Sequence, residues 1–224
     1  MSTFELHFFP KSKILIARGI SGKQRGKQFV IEAWGGPYAV VSSHTMNAAP
    51  TTPGTYIIEK MHPYRTPTWP LSRIKWGTKL RDRPGSNDVW YELPSGQWGS
   101  VKDLVGADRN QLRQYHQNLY GTATIPKTWV FNDFGPLAIR YYKDTNNNRH
   151  LDANERLMGE MFHTTAENEA ESARGLPVKL LPSHGCIHIK PKDRDKLIAL
   201  HAFERGTVFI VHPYSAAAPA HAIP

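Results

Sequence analysis

The stretch Pro182-Ser183-His184-Gly185-Cys186-Ile187-His188-Ile189 holds the only cysteine in the chain. A lone cysteine forms no intrachain disulfide and cannot supply the thiolates of a structural zinc site. That leaves an inert buried thiol or a reactive one. Gly185 removes the side chain just ahead of the sulfur, so a substrate carbonyl can approach and the N–H groups of Gly185 and Cys186 can point at a developing oxyanion. A thiol attacks as its thiolate and needs a neighbour that takes the proton, most often histidine. Among eleven histidines, His184 falls in the turn and His188, two residues along, shares the face of Cys186 on an extended segment. His163 is the better partner, because Met161-Phe162-His163-Thr164-Thr165 reads as the end of an apolar strand that brings an imidazole beside the elbow. His184 and Ser183 then shape the pocket.

A second candidate site is Asp144-Thr145-Asn146-Asn147-Asn148-Arg149-His150-Leu151-Asp152-Ala153-Asn154-Glu155. Asp144, Asn146, Asn148, Asp152 and Glu155 place oxygens at positions 1, 3, 5, 9 and 12, with His150 between them and Leu151 at position 8, a spacing that resembles an EF-hand calcium loop. Arg149 stands where that loop has its glycine, and strands flank it instead of helices. A Ca²⁺ bound here would brace the strand that carries His163; the other reading is a polar hairpin tip. Zinc held by His163, His184, His188 and Cys186 is a further reading, although their spacing matches no common zinc pattern. The acidic run at 166–172 reads as a solvated helix face or as a lure for a substrate ammonium.

These groups must be positioned by a chain of 224 residues, 40% hydrophobic, which is enough for a real core. Its charge of +9 favours an anionic partner. Nucleic acid is not indicated, since no basic run interleaves with aromatics. No segment is long enough to span a bilayer, and Pro10, Lys11 and Lys13 interrupt what would have to be a secretory signal. Strands are expected over 4–9, 13–17, 28–33, 38–42, 128–131, 137–142 and 206–211, with a further strand after the Pro53-Gly54 turn. Helices are expected over 101–119, starting late because of Gly106, over 166–172 and over 191–200 after Pro191. In the helix over 101–119, Leu104, Leu112, Tyr115 and Leu119 line one face. Residues 61–127 are rich in proline and tryptophan, including Trp69, Trp76, Trp90 and Trp98. They read as an insertion whose aromatics either form a wall for glycan or peptide stems or fill a satellite core.

Ser183-His184-Gly185-Cys186-Ile187, preceded by a strand-ending His163, resembles the catalytic signature of the L,D-transpeptidases, the YkuD-type cysteine enzymes of bacterial peptidoglycan. Thr52-Pro53-Gly54-Thr55-Tyr56 is similar to another segment of that family. Thr164 stands where a small Gly or Ser is common and His188 where Arg or Asn is usual, departures that bear on substrate preference and leaving-group handling. The resemblance implies a β-rich fold, mainly β with a few helices, built as a mixed sheet or sandwich. Residues 1–214 would form a single catalytic domain with the insertion at about 61–127, and 215–224 a flexible tail. It implies attack by Cys186 on a stem tetrapeptide, release of D-Ala, and a thioester passed to an amine or to water, with no cofactor required. Ser183, Thr164 and His188 would contact the substrate. The partners implied are peptidoglycan stem peptides in the periplasm or cell envelope. Without a signal, delivery would need a specialised secretion route, with a secretion apparatus and a cognate immunity protein, unless the signal has been trimmed away. The competing classes are a noncatalytic wall-binding module with an inert Cys186 and a cysteine peptidase acting on proteins. The latter lacks a papain-like cysteine setting near the N-terminus.

Overall fold

Alternation in Phe4–Phe9 buries Phe4, Leu6 and Phe8 and leaves Glu5 and His7 outward, the pattern of a strand with one face on a core. The computed structural model describes residues 3–42 and 47–220, and the same logic runs through eleven strands among them. The first are β1 (Phe4–Phe9), β2 (Ile14–Gly19), β3 (Gln28–Trp34), β4 (Gly54–His62), β5 (Leu80–Arg83), β6 (Asp88–Glu92) and β7 (Trp98–Ser100). After the helices α1 (Val101–Val105) and α2 (Arg109–Tyr120) come β8 (Ala138–Tyr142) and β9 (Leu157–His163). The chain then runs through α3 (Ala166–Ala173), β10 (Ile187–Ile189), α4 (Pro191–Ala199) and β11 (Val208–Val211). The protein is β-rich with a few short helices.

The chain divides into two compact units. The first takes residues 1–61, 139–163 and 179–224. Its strands close into a barrel in the order β1-β11-β4-β8-β9-β10-β3-β2. The sheet is mixed: β1 pairs parallel with β11 and β9 parallel with β10, while β1 with β2, β2 with β3, β3 with β10, β4 with β11 and β8 with β9 run antiparallel. Closing the sheet leaves no bare edge among these strands. Phe4, Phe8, Tyr56, Tyr141, Phe162, Phe203 and Phe209 fill the interior. Fully burying each such side chain stabilises the fold by roughly 1.5–3 kcal/mol. Helix α4 starts at Pro191, whose missing N–H is no loss at a first helical position.

The second unit takes residues 62–138 and 164–178. The segment read as an insertion, 61–127, falls within it apart from Met61. A three-stranded antiparallel sheet, β5-β6-β7, and helices α1 and α2 surround Ile74, Val89, Leu112, Trp129 and Phe131, and α3 packs on α2. Gly106 does not delay a single helix; it ends α1 in a left-handed turn at φ 83°, and α2 restarts behind a capping box of Asp108 and Gln111. On the expected helix face, Leu112 is fully buried and Leu104 and Leu119 pack beside it, whereas Tyr115 is exposed. Trp69, Trp76, Trp90 and Trp98 are half-buried, and the faces of Trp90 and Trp98 are covered by the Arg83 and Arg81 guanidiniums at 4.1 and 4.2 Å.

Three local expectations fail. Residues 128–131 form only a bridge, Thr128 with Lys79; their apolar character comes from burial of Trp129 and Phe131, not from strand pairing. Residues 38–42 likewise hold only the bridge of Val41 to Ala48, with 43–46 outside the described residues. The tail expected to be loose is anchored as far as Ala218. Its N–H donates to Ser12 Oγ at 2.9 Å, and its methyl packs with Phe9, Ile14 and Ile16; 221–224 lie outside the described residues.

Candidate active site

The bend before Cys186 is fixed by groups that are distant in sequence. Ser183 is 5% exposed, and its hydroxyl accepts from Gly185 N–H at 3.0 Å and donates to the Cys186 carbonyl. Ser183 N–H donates to the Gly35 carbonyl at 3.1 Å. Fully buried Thr51 donates its hydroxyl to the Gly185 carbonyl at 2.9 Å and accepts from Gly36 N–H at 3.0 Å. Gly185 sits at φ 123°, a conformation that side chains avoid. Two sequence expectations are corrected here. Gly185 N–H is committed to Ser183, not held open for an oxyanion. The Ser183 hydroxyl serves the bend itself and is not turned to a substrate.

The Cys186 thiol is half-buried and makes no disulfide. Burial pushes its pKa up to about 11; the Glu160 carboxylate adds to the rise, while a hydrogen bond from the Met161 backbone and the Arg140 charge oppose it. At pH 7, well below that value, the sulfur is therefore a neutral thiol. Sequence reading missed Glu160. Its carboxylate accepts from Thr52 N–H and hydroxyl, the latter at 2.6 Å, and from Tyr141 Oη at 3.2 Å. Buried Tyr141 is in turn pushed well above the usual phenol range by burial, with Glu160 and Cys186 contributing. Local signal for this cluster is absent: Glu160 precedes Phe162 in an ordinary-looking strand, and only the pairing of β9 with β10 brings it to the thiol.

Parallel pairing of β9 with β10 sets Ile187 opposite Phe162 and His188 opposite His163. Directly paired residues share a face, so both isoleucine and phenylalanine turn inward and the two histidines stand together. Their ring centroids are 4.7 Å apart, nearly perpendicular. His163 is 4% exposed. His188 Nδ1 lies 2.9 Å from the Leu181 carbonyl, so that nitrogen carries the proton and Nε2 is the accepting atom of the neutral ring. His184 is exposed. Thr164 belongs to the second unit and is buried, its hydroxyl donating to Glu169. The structure thus brings His163 and His188 onto neighbouring strands of one unit, sets Ser183, Gly185 and Cys186 in the bend that leads into β10, and commits Thr164 to a partner on α3.

The 144–155 loop joins β8 to β9 as a hairpin tip. Glu155 accepts from Thr145 N–H and hydroxyl at 2.6 and 2.8 Å and from Asp152 N–H. The carboxamides of Asn146 and Asn148 donate to Asp152 at 2.7 and 2.8 Å, and Arg149 N–H donates to Asp144. His150 N–H donates to Asn148. Arg149 adopts φ 59°, the left-handed turn that the loop pattern gives to glycine. Among the described residues no three His, Cys, Asp or Glu side chains come together as metal ligands. A cation in this loop is a proposal apart from the thiol chemistry. Calorimetric heat with Ca²⁺ that Asp152→Asn abolishes supports it; no heat, together with unchanged melting in chelator, removes it.

No protein-family model matches the chain. No curated protein matches it in sequence. Solved structures similar to it include an L,D-transpeptidase from Xylanimonas cellulosilytica, 9% identical, covering 94% of this chain and 61% of that one with a TM-score of 0.38. Bdellovibrio bacteriovorus Bd1075 is 12% identical over 95% of this chain and 49% of that one, TM-score 0.39. An L,D-transpeptidase from Mycobacterium smegmatis is 11% identical over 94% and 59%, TM-score 0.36. The chain spans less than two thirds of each of these. Among the described residues no helix is long and apolar enough to cross a membrane.

Proposed function

We propose that the first unit carries out cysteine-dependent acyl transfer on peptidoglycan stem peptides, as an L,D-transpeptidase, D-amino-acid exchanger or L,D-carboxypeptidase. The single observation that supports this most is the elbow itself: a thiol behind a left-handed glycine, pinned by Ser183 and Thr51, one residue ahead of β10, which pairs with the strand that ends in His163. In the first half-reaction His163 accepts the Cys186 proton and the sulfur attacks the carbonyl that joins the L-centre to the terminal D-residue. Cys186 N–H donates to the resulting oxyanion. Collapse breaks the C–N bond, the histidine proton goes to the departing amine of D-Ala, and a thioester remains. An acceptor amine or water then attacks the thioester and restores the thiol. A neutral thiol at rest suits this order, since the proton that His163 takes is then still on the sulfur.

The site of action in this reading is the periplasm or cell envelope. Delivery by a dedicated secretion apparatus, with an immunity protein on the producing side, belongs to the same proposal and is tested by fractionating cells with and without that apparatus. Incubation with purified tetrapeptide muropeptides, read by mass, tests the chemistry. Loss of D-Ala or its exchange by wild type, abolished in Cys186→Ala, is the expected result; equal turnover by the variant would sink it. The half-buried, protonated thiol also favours a second reading, a noncatalytic wall-binding module. Slow iodoacetamide labelling that muropeptide does not change, together with no product, would select that module.

A further inference from the structure

Beyond the histidines, the outer face of the barrel carries a third ring. His188 is paired with His163 on one side and with Trp34 on the other, so the three side chains lie in a row across β9, β10 and β3. Trp34 also lines a groove of about 580 Å³, with Lys11, Lys13, Tyr38, Tyr214 and Pro182 among its walls. Lys13 Nζ stands 3.6 Å from the centroid of the Trp34 ring. Tyr214 is fixed by donating to the Gly36 carbonyl at 2.8 Å and accepting from Thr51 N–H at 3.0 Å, and Tyr38 meets it edge-on.

Charge in this groove is one-sided. None of the described residues that line it is acidic. The carboxylate beside Trp34, that of Glu32, is taken up by Lys190 at 2.6 Å and by Trp34 Nε1 at 2.7 Å and feels Lys13 more weakly, so the exposed ammoniums of Lys11 and Lys13 outnumber the one carboxylate near them. The inner wall of the groove is continuous with the elbow. Gly35 holds Ser183, Gly36 is bound to the same Thr51 hydroxyl that holds Gly185, and Pro182 opens the cysteine segment.

We propose that this groove is a binding site for a carboxylate-bearing wall fragment, its ring or sugar faces lying on Tyr38 and Tyr214 and its carboxylate on Lys11 and on Lys13, which the Trp34 ring holds in place. Aromatic faces take apolar ring surfaces, and lysines supply point charges that salt screens. Resting on the acyl-transfer reading of Cys186, the groove anchors the part of the polymer that does not react and so raises the local concentration of the reacting carbonyl. The carboxylate comes either from the stem peptide or from the lactyl group of an unsubstituted muramic sugar.

Binding is measured by calorimetry in the Cys186→Ala protein, which cannot turn over, with three probes: free tetrapeptide, disaccharide–tetrapeptide, and disaccharide with a free lactyl carboxylate. The expected result is binding of at least one probe that weakens in high salt while both lysines are present, and that weakens about tenfold in a Lys11→Gln/Lys13→Gln background, where salt then changes it little. Lysine dependence with the free tetrapeptide assigns the carboxylate to the peptide; with the disaccharide alone, to the sugar. Lys11→Gln by itself is the fallback if the double variant does not fold. Equal affinity with and without the lysines, or no binding of any probe, overturns the groove, and if wild type still yields product the acyl-transfer reading stands. Lysine-dependent binding beside a wild type that yields no product overturns that reading and keeps the groove.

Discussion

The cysteine bend and the 144–155 loop are both short polar stretches with a recognisable spacing, but their hydrogen bonds run differently. At the bend, the Gly185 carbonyl, the Ser183 N–H and the thiol are met by Thr51, Gly35 and Met161, which belong to other strands and loops. Within the loop, Asp144, Asn146, Asn148, Asp152 and Glu155 are met almost wholly by one another and by the N–H groups between them. A locally satisfied loop can form wherever its ends are held, because its partners are supplied by the same few residues. A bend satisfied at long range exists only once the barrel has closed. Damage should therefore spread from the bend and stay confined in the loop.

The largest break in that contrast is expected from Gly36→Ala. A Cβ there would lie 1.8 Å from the Ala49 carbonyl oxygen and 3.2 Å from Gly185 Cα. Backbone must move on both sides, at about 3 kcal/mol, so the melting temperature falls by roughly 10 °C and thiol labelling changes with it. Next is Thr51→Val, which strands the buried Gly185 carbonyl and Gly36 N–H together. It is expected to lose about 2 kcal/mol, seen as a shift of roughly 5 °C by calorimetry. A Thr51→Ser control keeps both hydrogen bonds and most of the stability.

Glu160→Gln sharpens the comparison from the electrostatic side. The carboxylate raises the thiol pKa, so its removal lowers that pKa, moves the pH profile of alkylation to lower pH and speeds labelling at pH 8 by roughly threefold. Burial is the larger cause, so the profile of the variant remains above that of a free cysteine. An unchanged profile would place the carboxylate's influence elsewhere. The smallest effect is expected in the loop. Arg149→Gly relieves a left-handed backbone that costs an L-residue about 1 kcal/mol, raising the melting temperature by roughly 2 °C and leaving thiol labelling untouched.

Particular residues show where reading the sequence succeeds. Period-two burial in Phe4–Phe9 and the proline at the head of α4 are properties of a few neighbouring residues, and both are legible in the chain. Gly106 is legible as an interruption but not as the cap between two helices, because the restart of helix beyond it is decided by the Asp108–Gln111 capping box. Trp129 and Phe131 read as a strand because burial and strand pairing favour the same side chains, and sequence alone does not separate them.

For the site, the order of residues is enough to establish that one thiol stands behind one glycine, with an imidazole closing an earlier apolar strand, since residue type and position state that directly. Folding settles the rest: which N–H group is spent on Ser183, which carboxylate raises the thiol, which ring lies beside His163, and that Trp34 and two lysines adjoin the bend. Each of those depends on strand register across a closed barrel, and register is set by the packing of all eight strands at once, not by any stretch of sequence on its own.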